Sequence, residues 1–256
     1  MLIARTFGGR VARTGLVLAT AVAIAACATP PPKVDDVIPF SVNRPGGKLP
    51  RGWQSWVITR TKAPTTYDLV VDPLTQRVVV HAIADRAATG LKQRLDIAPD
   101  ERPLISWNWR VVRLIKGADN TDRYAEDAPV RLMLFFDGDT GKLPAREQIK
   151  METARVLSGQ PVPYATLMYI WENRQTVGKV IPNAHTTRVR MVVAGSGTDR
   201  LGQWKNFERN YVEDFRKAFN EAPGRLIGVG ILTDTDNTGE SVEAFYGDIE
   251  LRRAAR

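Results

Sequence analysis

Period-two alternation of apolar and polar positions dominates the chain. In Leu104-Ile105-Ser106-Trp107-Asn108-Trp109-Arg110-Val111, the residues Ile105, Trp107, Trp109 and Val111 share one face, opposite Ser106, Asn108 and Arg110. Val130, Leu132, Leu134 and Phe136 oppose Arg131, Met133 and Phe135, and Val189, Met191 and Val193 oppose Arg188 and Arg190. A strand turns successive side chains to opposite faces, so each run predicts a half-buried strand. Comparable runs at 53–59, 66–71, 77–83, 166–171, 226–232 and 244–251 bring the expectation to about nine strands. Turn pairs such as Asp72-Pro73 and Asp137-Gly138 separate them.

Two stretches carry helical spacing instead. Residues 144–157 place Ile149, Ala154, Val156 and Leu157 on one loose face, with Pro144 at the first turn. Phe207, Tyr211, Phe215, Ala218 and Phe219 recur at three or four residues, ended by Pro223-Gly224. Strands without regularly interleaved helices predict a mainly β fold, a two-layer antiparallel β-sandwich or jelly roll. The one or two inserted helices are expected to pack on its edge or across one sheet.

The N-terminus breaks this pattern. Residues 1–26 contain no acid; Arg5, Arg10 and Arg13 lead into an apolar run from Gly15 to Ala26 that is too short to span a bilayer. Ile24-Ala25-Ala26-Cys27 resembles the bacterial lipobox, so 1–26 reads as a signal peptide and Cys27 as the acylated mature N-terminus. Two or three acyl chains hold a protein stably on a membrane where one does not. By resemblance to sorted lipoproteins, Ala28 directs the protein to the outer membrane. Residues 27–49 then read as a Pro-rich tether, with Pro30-Pro31-Pro32 favouring an extended spacer and Val37-Ile38-Pro39-Phe40 able to dock as a short edge strand. Residues 50–256 form a single domain.

Composition narrows the chemistry. Hydrophobic residues are 43% and charged residues 25% of 256, a globular balance. One Cys excludes an internal disulfide or a thiolate zinc site, and two His exclude a three-His centre. Cleavage removes three arginines from 36 basic residues, leaving 33 against 28 acids, so the net charge falls from +8 to +5. No nucleic-acid partner is expected of an exported protein with scattered basic residues. Gly-x-Ser-x-Gly and His-Glu-x-x-His are missing, and His81 and His185 read as structural.

The densest polar cluster is Thr233-Asp234-Thr235-Asp236-Asn237-Thr238-Gly239-Glu240. Asp234, Asp236 and Thr238 stand at positions one, three and five of a calcium-loop pattern, but position twelve is Phe245 rather than Glu. Two readings remain: a structural Ca²⁺ held by Asp234, Asp236 and Thr238, or a turn whose carboxylates cap local N–H groups. No other cofactor is expected. Asp137-Gly138-Asp139 reads as a hairpin turn, and Arg131 as the surface partner of Glu126 or Asp127. Of six Trp, Trp107 and Trp109 belong to the core face, while Trp204, between Gly202-Gln203 and Lys205-Asn206, is the one expected to be partly exposed. Trp204, Asp234, Asp236 and Asn237 are the candidate ligand-binding residues.

Several of these stretches resemble the bacterial family of domain of unknown function 3047. They are the Trp53 strand, 104–110, Ala165-Thr166-Leu167-Met168-Tyr169-Ile170-Trp171-Glu172, 209–219, 233–238 and Gly247-Asp248-Ile249. The resemblance implies an exported, galactose-binding-like jelly roll similar to carbohydrate-binding modules, and brings no activity. The expectation is an envelope lipoprotein, facing the periplasm or the cell surface, whose sandwich binds a ligand, with envelope glycan favoured. The alternatives are a hydrolase acting on envelope polysaccharide through Asp234 or Asp236, and an assembly lipoprotein contacting another envelope protein.

Overall fold

A computed structural model describes residues 34–59 and 61–254. The stretch expected to be a signal peptide, 1–26, and Cys27 lie outside the described residues. Among the described residues, twelve strands and two α-helices build a two-sheet sandwich. One sheet has seven strands in the order β1 (Gln54–Val57), β4 (Ala88–Ile97), β11 (Leu226–Asp234), β6 (Ala128–Phe136), β7 (Ala165–Glu172), β9 (Val189–Ser196) and β8 (Val180–Pro182). The other has five: β10 (Trp204–Asn210), β5 (Leu104–Val111), β12 (Ser241–Arg252), β3 (Val78–Asp85) and β2 (Thr66–Val71). Every pairing between neighbouring strands is antiparallel except β7 with β9, which run parallel, so the seven-stranded sheet is mixed.

The predicted alternation decides which side chains meet between the sheets. Leu132, Leu134 and Phe136 from β6 face Ile105, Trp107, Trp109 and Val111 from β5 in one continuous core. Trp107 stacks on Tyr169 of the opposite sheet at 4.7 Å and on Phe207 at 5.1 Å. Burying such a side chain contributes about 1.5–3 kcal/mol, with a further 0.5–1.5 for a well-formed aromatic pair. The other face of β6 carries Met133 and Phe135, which belong to a separate cluster on the outside of the seven-stranded sheet.

Three strands depart from the expectation. β4 was hidden because its inward positions Leu91, Gln93, Leu95 and Ile97 include a buried glutamine. That glutamine is satisfied by the segment expected to be a free tether: Ile38 N–H donates to Gln93 Oε1 and Gln93 Nε2 donates to Asp36 O, each at 2.9 Å. From Val34 the tether is therefore part of the domain. Val37 and Phe40 are buried, Phe40 packs on Trp53, and Asp248 accepts from Ser41 N–H (2.9 Å) and Oγ (2.5 Å). β8 is a short edge strand. β10 contains Phe207, which helical spacing had joined to Tyr211; the helix α2 (Tyr211–Phe219) starts only after Asn210, whose side chain accepts from the Val212 and Glu213 N–H groups.

Helix α1 (Ala145–Ser158) forms where predicted but does not bury its apolar residues. Ile149, Val156 and Leu157 are at least 60% exposed, and Glu147 is its one buried residue. Polar contacts hold α1 in place. Glu147 Oε2 accepts from Thr186 Oγ1 (2.7 Å) and Thr187 N–H (3.1 Å), and just past the helix Lys92 Nζ donates to Gln160 Oε1 at 2.6 Å. α1 thus stands off the outer face of the seven-stranded sheet, with a groove beneath it. Among the described residues no helix is long and apolar enough to cross a membrane.

Candidate functional site

Strand register fixes the groove floor. Trp56 of β1 pairs with Gly90, Gly90 with Leu232, and Leu232 with Arg131. In the next row outward, Lys92 pairs with Gly230, Gly230 with Met133, and Met133 with Met168. A third row runs from Arg94 through Gly228 and Phe135 to Thr166. The groove holds about 370 Å³; Ala154, Ser158 and the loop Gln160–Pro163 wall it on the helix side, opposite Trp56 and Ile58.

Glycines make this floor. A Cβ on Gly228 or Gly230 would lie 3.1–3.2 Å from the Phe135 ring, so their hydrogens let that ring lie along the sheet. A Cβ on Gly90 would meet Ile231 O at 2.5 Å and Trp56 Cε3 at 3.1 Å, and the half-buried Trp56 indole rests there, edge-on to Phe135 with centroids 5.5 Å apart. The floor is consequently apolar and aromatic. Polar groups ring it: Lys62, Glu126, Asn183, His185, Asp234 and Asn237.

The acidic loop closes one end of the groove. Asp127, Asp234 and Asp236 each present an oxygen within 4.8 Å of the others. Asp234 Oδ1 accepts from Arg131 Nε at 2.9 Å and Ala128 N–H at 3.1 Å. Burial, with Asp127 close by, pushes the Asp234 carboxyl up to about 6 against the pull of Arg131. Asp236 Oδ2 pairs with Lys62 Nζ at 2.5 Å while its buried Oδ1 has no hydrogen-bond partner. Asp127 accepts from the N–H groups of Asn237 (3.2 Å) and Thr238 (2.7 Å) and from Thr238 Oγ1 (2.7 Å).

The carboxylates brought together are thus Asp127, Asp234 and Asp236, whereas Thr238 spends its hydroxyl on Asp127. Lys62 and Arg131 already supply the positive charge that a calcium ion would bring. Arg131 is no surface residue: it is 2% exposed, and its carboxylate partner is Asp234 rather than Glu126 or Asp127, although Nη2 also donates to the Glu126 backbone carbonyl.

Trp204 sits elsewhere. On β10 it shares the outer face of the five-stranded sheet with Arg110, and its indole N–H donates to buried Asp72 at 2.9 Å, beside an Arg110–Asp72 ion pair at 3.0 Å. Trp204 and the acidic loop therefore lie on opposite outer faces of the sandwich. His81 is structural, stacked on Phe245 and bonded to Glu243 at 2.8 Å, whereas exposed His185 lines the groove. Trp56 was one of the six Trp in view but was not singled out, whereas Phe135, Lys92 and Gln160 escaped sequence reasoning; Gly228 and Gly230, two residues apart inside a strand, are the signal that could have found the patch.

The fold is a two-sheet β-sandwich whose concavity lies on the outer face of one sheet rather than in the loops. The chain belongs to the family described as Protein of unknown function (DUF3047), whose model matches residues 51–250. No curated protein matches the chain. Among solved structures it is similar to the K1 cleaved adhesin domain of Lys-gingipain from Porphyromonas gingivalis W83, at 7% identity over 85% of this chain and 97% of that one, with a TM-score of 0.36. A carbohydrate-binding module specific for non-crystalline cellulose aligns at 13% identity over 87% and 94%, TM-score 0.33. The glycoside hydrolase domain of Endo-D from Streptococcus pneumoniae R6 aligns at 7% identity over 80% of this chain but 22% of that chain, TM-score 0.34.

Proposed function

We propose that the protein is an envelope lipoprotein, anchored in the outer membrane through Cys27, that binds a glycan segment in the groove between α1 and the seven-stranded sheet. One observation carries the reading: the half-buried Trp56 indole laid over Gly90 at the edge of an apolar groove with a polar rim. A sugar ring offers an apolar face to an indole and hydroxyls to its rim. Mostly apolar concavities with a few convergent polar groups are how proteins hold such ligands. The test is retention of the purified protein on peptidoglycan, on lipopolysaccharide and on a glycan array. Binding that Trp56→Ala abolishes without loss of fold supports the reading, and blank results on all three overturn it. Anchoring is tested separately by palmitate incorporation, which Cys27→Ala should eliminate.

A second reading, a hydrolase, is favoured by Asp234, a groove-lining carboxyl that keeps its proton to about pH 6 as a general acid does. Release of reducing ends from an envelope polysaccharide, lost in Asp234→Asn, would establish it.

A further inference from the structure

Most cations around the seven-stranded sheet have a carboxylate at 2.5–2.9 Å: Lys62 with Asp236, Arg131 with Asp234, Lys150 with Glu147, Arg188 with Glu221 and Arg225 with Asp96. Lys92 and Arg94 do not. They stand two residues apart on the outer face of β4, opposite Gly230 and Gly228, which raise no side chain beside them. Lys92 is half-buried, and its ammonium makes one hydrogen bond, to Gln160 in the groove wall. Burial and the neighbouring Arg94 pull its pKa below the ordinary value. Among the described residues neither is paired with a carboxylate, and Asp96, two residues beyond Arg94 on the same face, is bonded to Arg225. Two adjacent like charges, one partly desolvated and both unneutralised, are a local cost to the fold. Such costs concentrate where a ligand supplies the missing charge.

The placement says what ligand that is. Along β4 the outer face presents Gly90 under Trp56, then Lys92, then Arg94, and two residues of strand advance about 7 Å. Lys92 therefore stands about 7 Å and Arg94 about 14 Å along the strand from the Trp56 ring, just outside the groove lining, so a substituent on the far side of a stacked ring points toward Lys92 and the long Arg94 side chain reaches back to the same group.

We propose that the groove selects an acidic glycan, whose carboxylate or phosphate is bound by Lys92 and Arg94 while a sugar ring stacks on Trp56. This rests on the glycan reading above and adds the charge of the ligand. The Lys92 ammonium has two N–H groups left to give, and the Arg94 guanidinium offers a planar fork that matches either anion.

The full-length purified protein is titrated with polygalacturonate and its methyl ester, and with phosphomannan and its dephosphorylated form. Each pair shares a backbone and differs in charge. At least one charged polymer should bind about tenfold or more tightly than its neutral counterpart, as expected when a charge-assisted hydrogen bond is added. The member that binds tells carboxylate from phosphate. The double variant Lys92→Gln, Arg94→Gln should remove that preference, so that the charged and neutral polymers bind alike. Arg94→Gln alone, which spares the Gln160 contact, should lose part of it. Equal or tighter binding of the neutral polymers overturns the proposal and leaves the glycan reading standing, as does a preference that survives in the double variant. No binding to any of the four, with peptidoglycan, lipopolysaccharide and the glycan array also blank, fells the glycan reading and this proposal with it.

Discussion

Gln93 is the residue on which the N-terminal segment depends most directly. Its side chain is 2% exposed at an inward position of β4 and bridges Ile38 N–H and Asp36 O with two hydrogen bonds of 2.9 Å. Replacing it with alanine removes both. Each contributes about 0.5–1.5 kcal/mol net, and the freed backbone groups lie near enough to the surface for water to replace part of the loss, so the cost is about 2 kcal/mol. In a domain of this size 1 kcal/mol moves the melting temperature by about 2–4 °C, giving an expected fall of about 4–8 °C. The loss is local first. Amide exchange at Val37–Ser41 should quicken while the amides of β6 keep their protection. A melting temperature within 1 °C of the parent, together with unchanged exchange at Val37–Ser41, would refute the view that Gln93 pins this segment.

Three further outcomes are expected. Asp234 keeps its proton to about pH 6 when folded against an ordinary 3.8, so the folded state binds more protons than the unfolded one in that window. This group's contribution is full below pH 3.8 and is lost as pH rises to 6, by up to about 3 kcal/mol. Urea melts from pH 4 to 7 should show that fall in wild type minus Asp234→Asn, and a flat or rising difference contradicts it. Glu147→Ala removes the acceptor for Thr186, Thr187 and Lys150, so α1 should detach more often and trypsin should cut at Arg146, Lys150 or Arg155 on the order of tenfold faster. Unchanged cleavage would mean that something else holds the helix. Millimolar calcium should shift the wild-type melting temperature by less than about 1 °C because Lys62 occupies Asp236, whereas Lys62→Ala should gain calcium-dependent stabilisation. A shift of several degrees in wild type would instead assign a cation to the Asp127, Asp234 and Asp236 trio.

Strand alternation made the sandwich legible, because burial between two sheets imposes period two whatever the connections. It failed where a polar residue takes a core position. Gln93 breaks the apolar run of β4, and its satisfaction comes from residues 55 and 57 positions away in the chain, which no local window contains. It failed again at Phe207, which lies four residues before Tyr211 and so mimics helix spacing across a strand-to-helix junction that Asn210 caps. The acidic loop was readable as a cluster, but not its neutralisation by Lys62 and Arg131, which arrive from other strands and loops. The groove was least legible. It arises because α1 turns its apolar residues outward and stands off the sheet, and because glycines on β4 and β11 let Trp56 and Phe135 lie down. Trp204 is partly exposed as its polar neighbours implied, but its tie to Asp72 on the outer face of the five-stranded sheet, away from the acidic loop, comes from a residue 132 positions away.

The N-terminal segment has a mechanical consequence. Val34 bridges Leu95 in parallel on the seven-stranded sheet, and seven residues later Ser41 is clamped by Asp248 on the five-stranded sheet. A pull on the chain before Val34 is therefore shared between both layers rather than peeling one edge strand. Such a load must break the Val34–β4 and Gln93 contacts before it reaches Phe40 and Trp53, so the sandwich would yield in stages, beginning at β4, the strand that carries Gly90, Lys92 and Arg94 beside the groove.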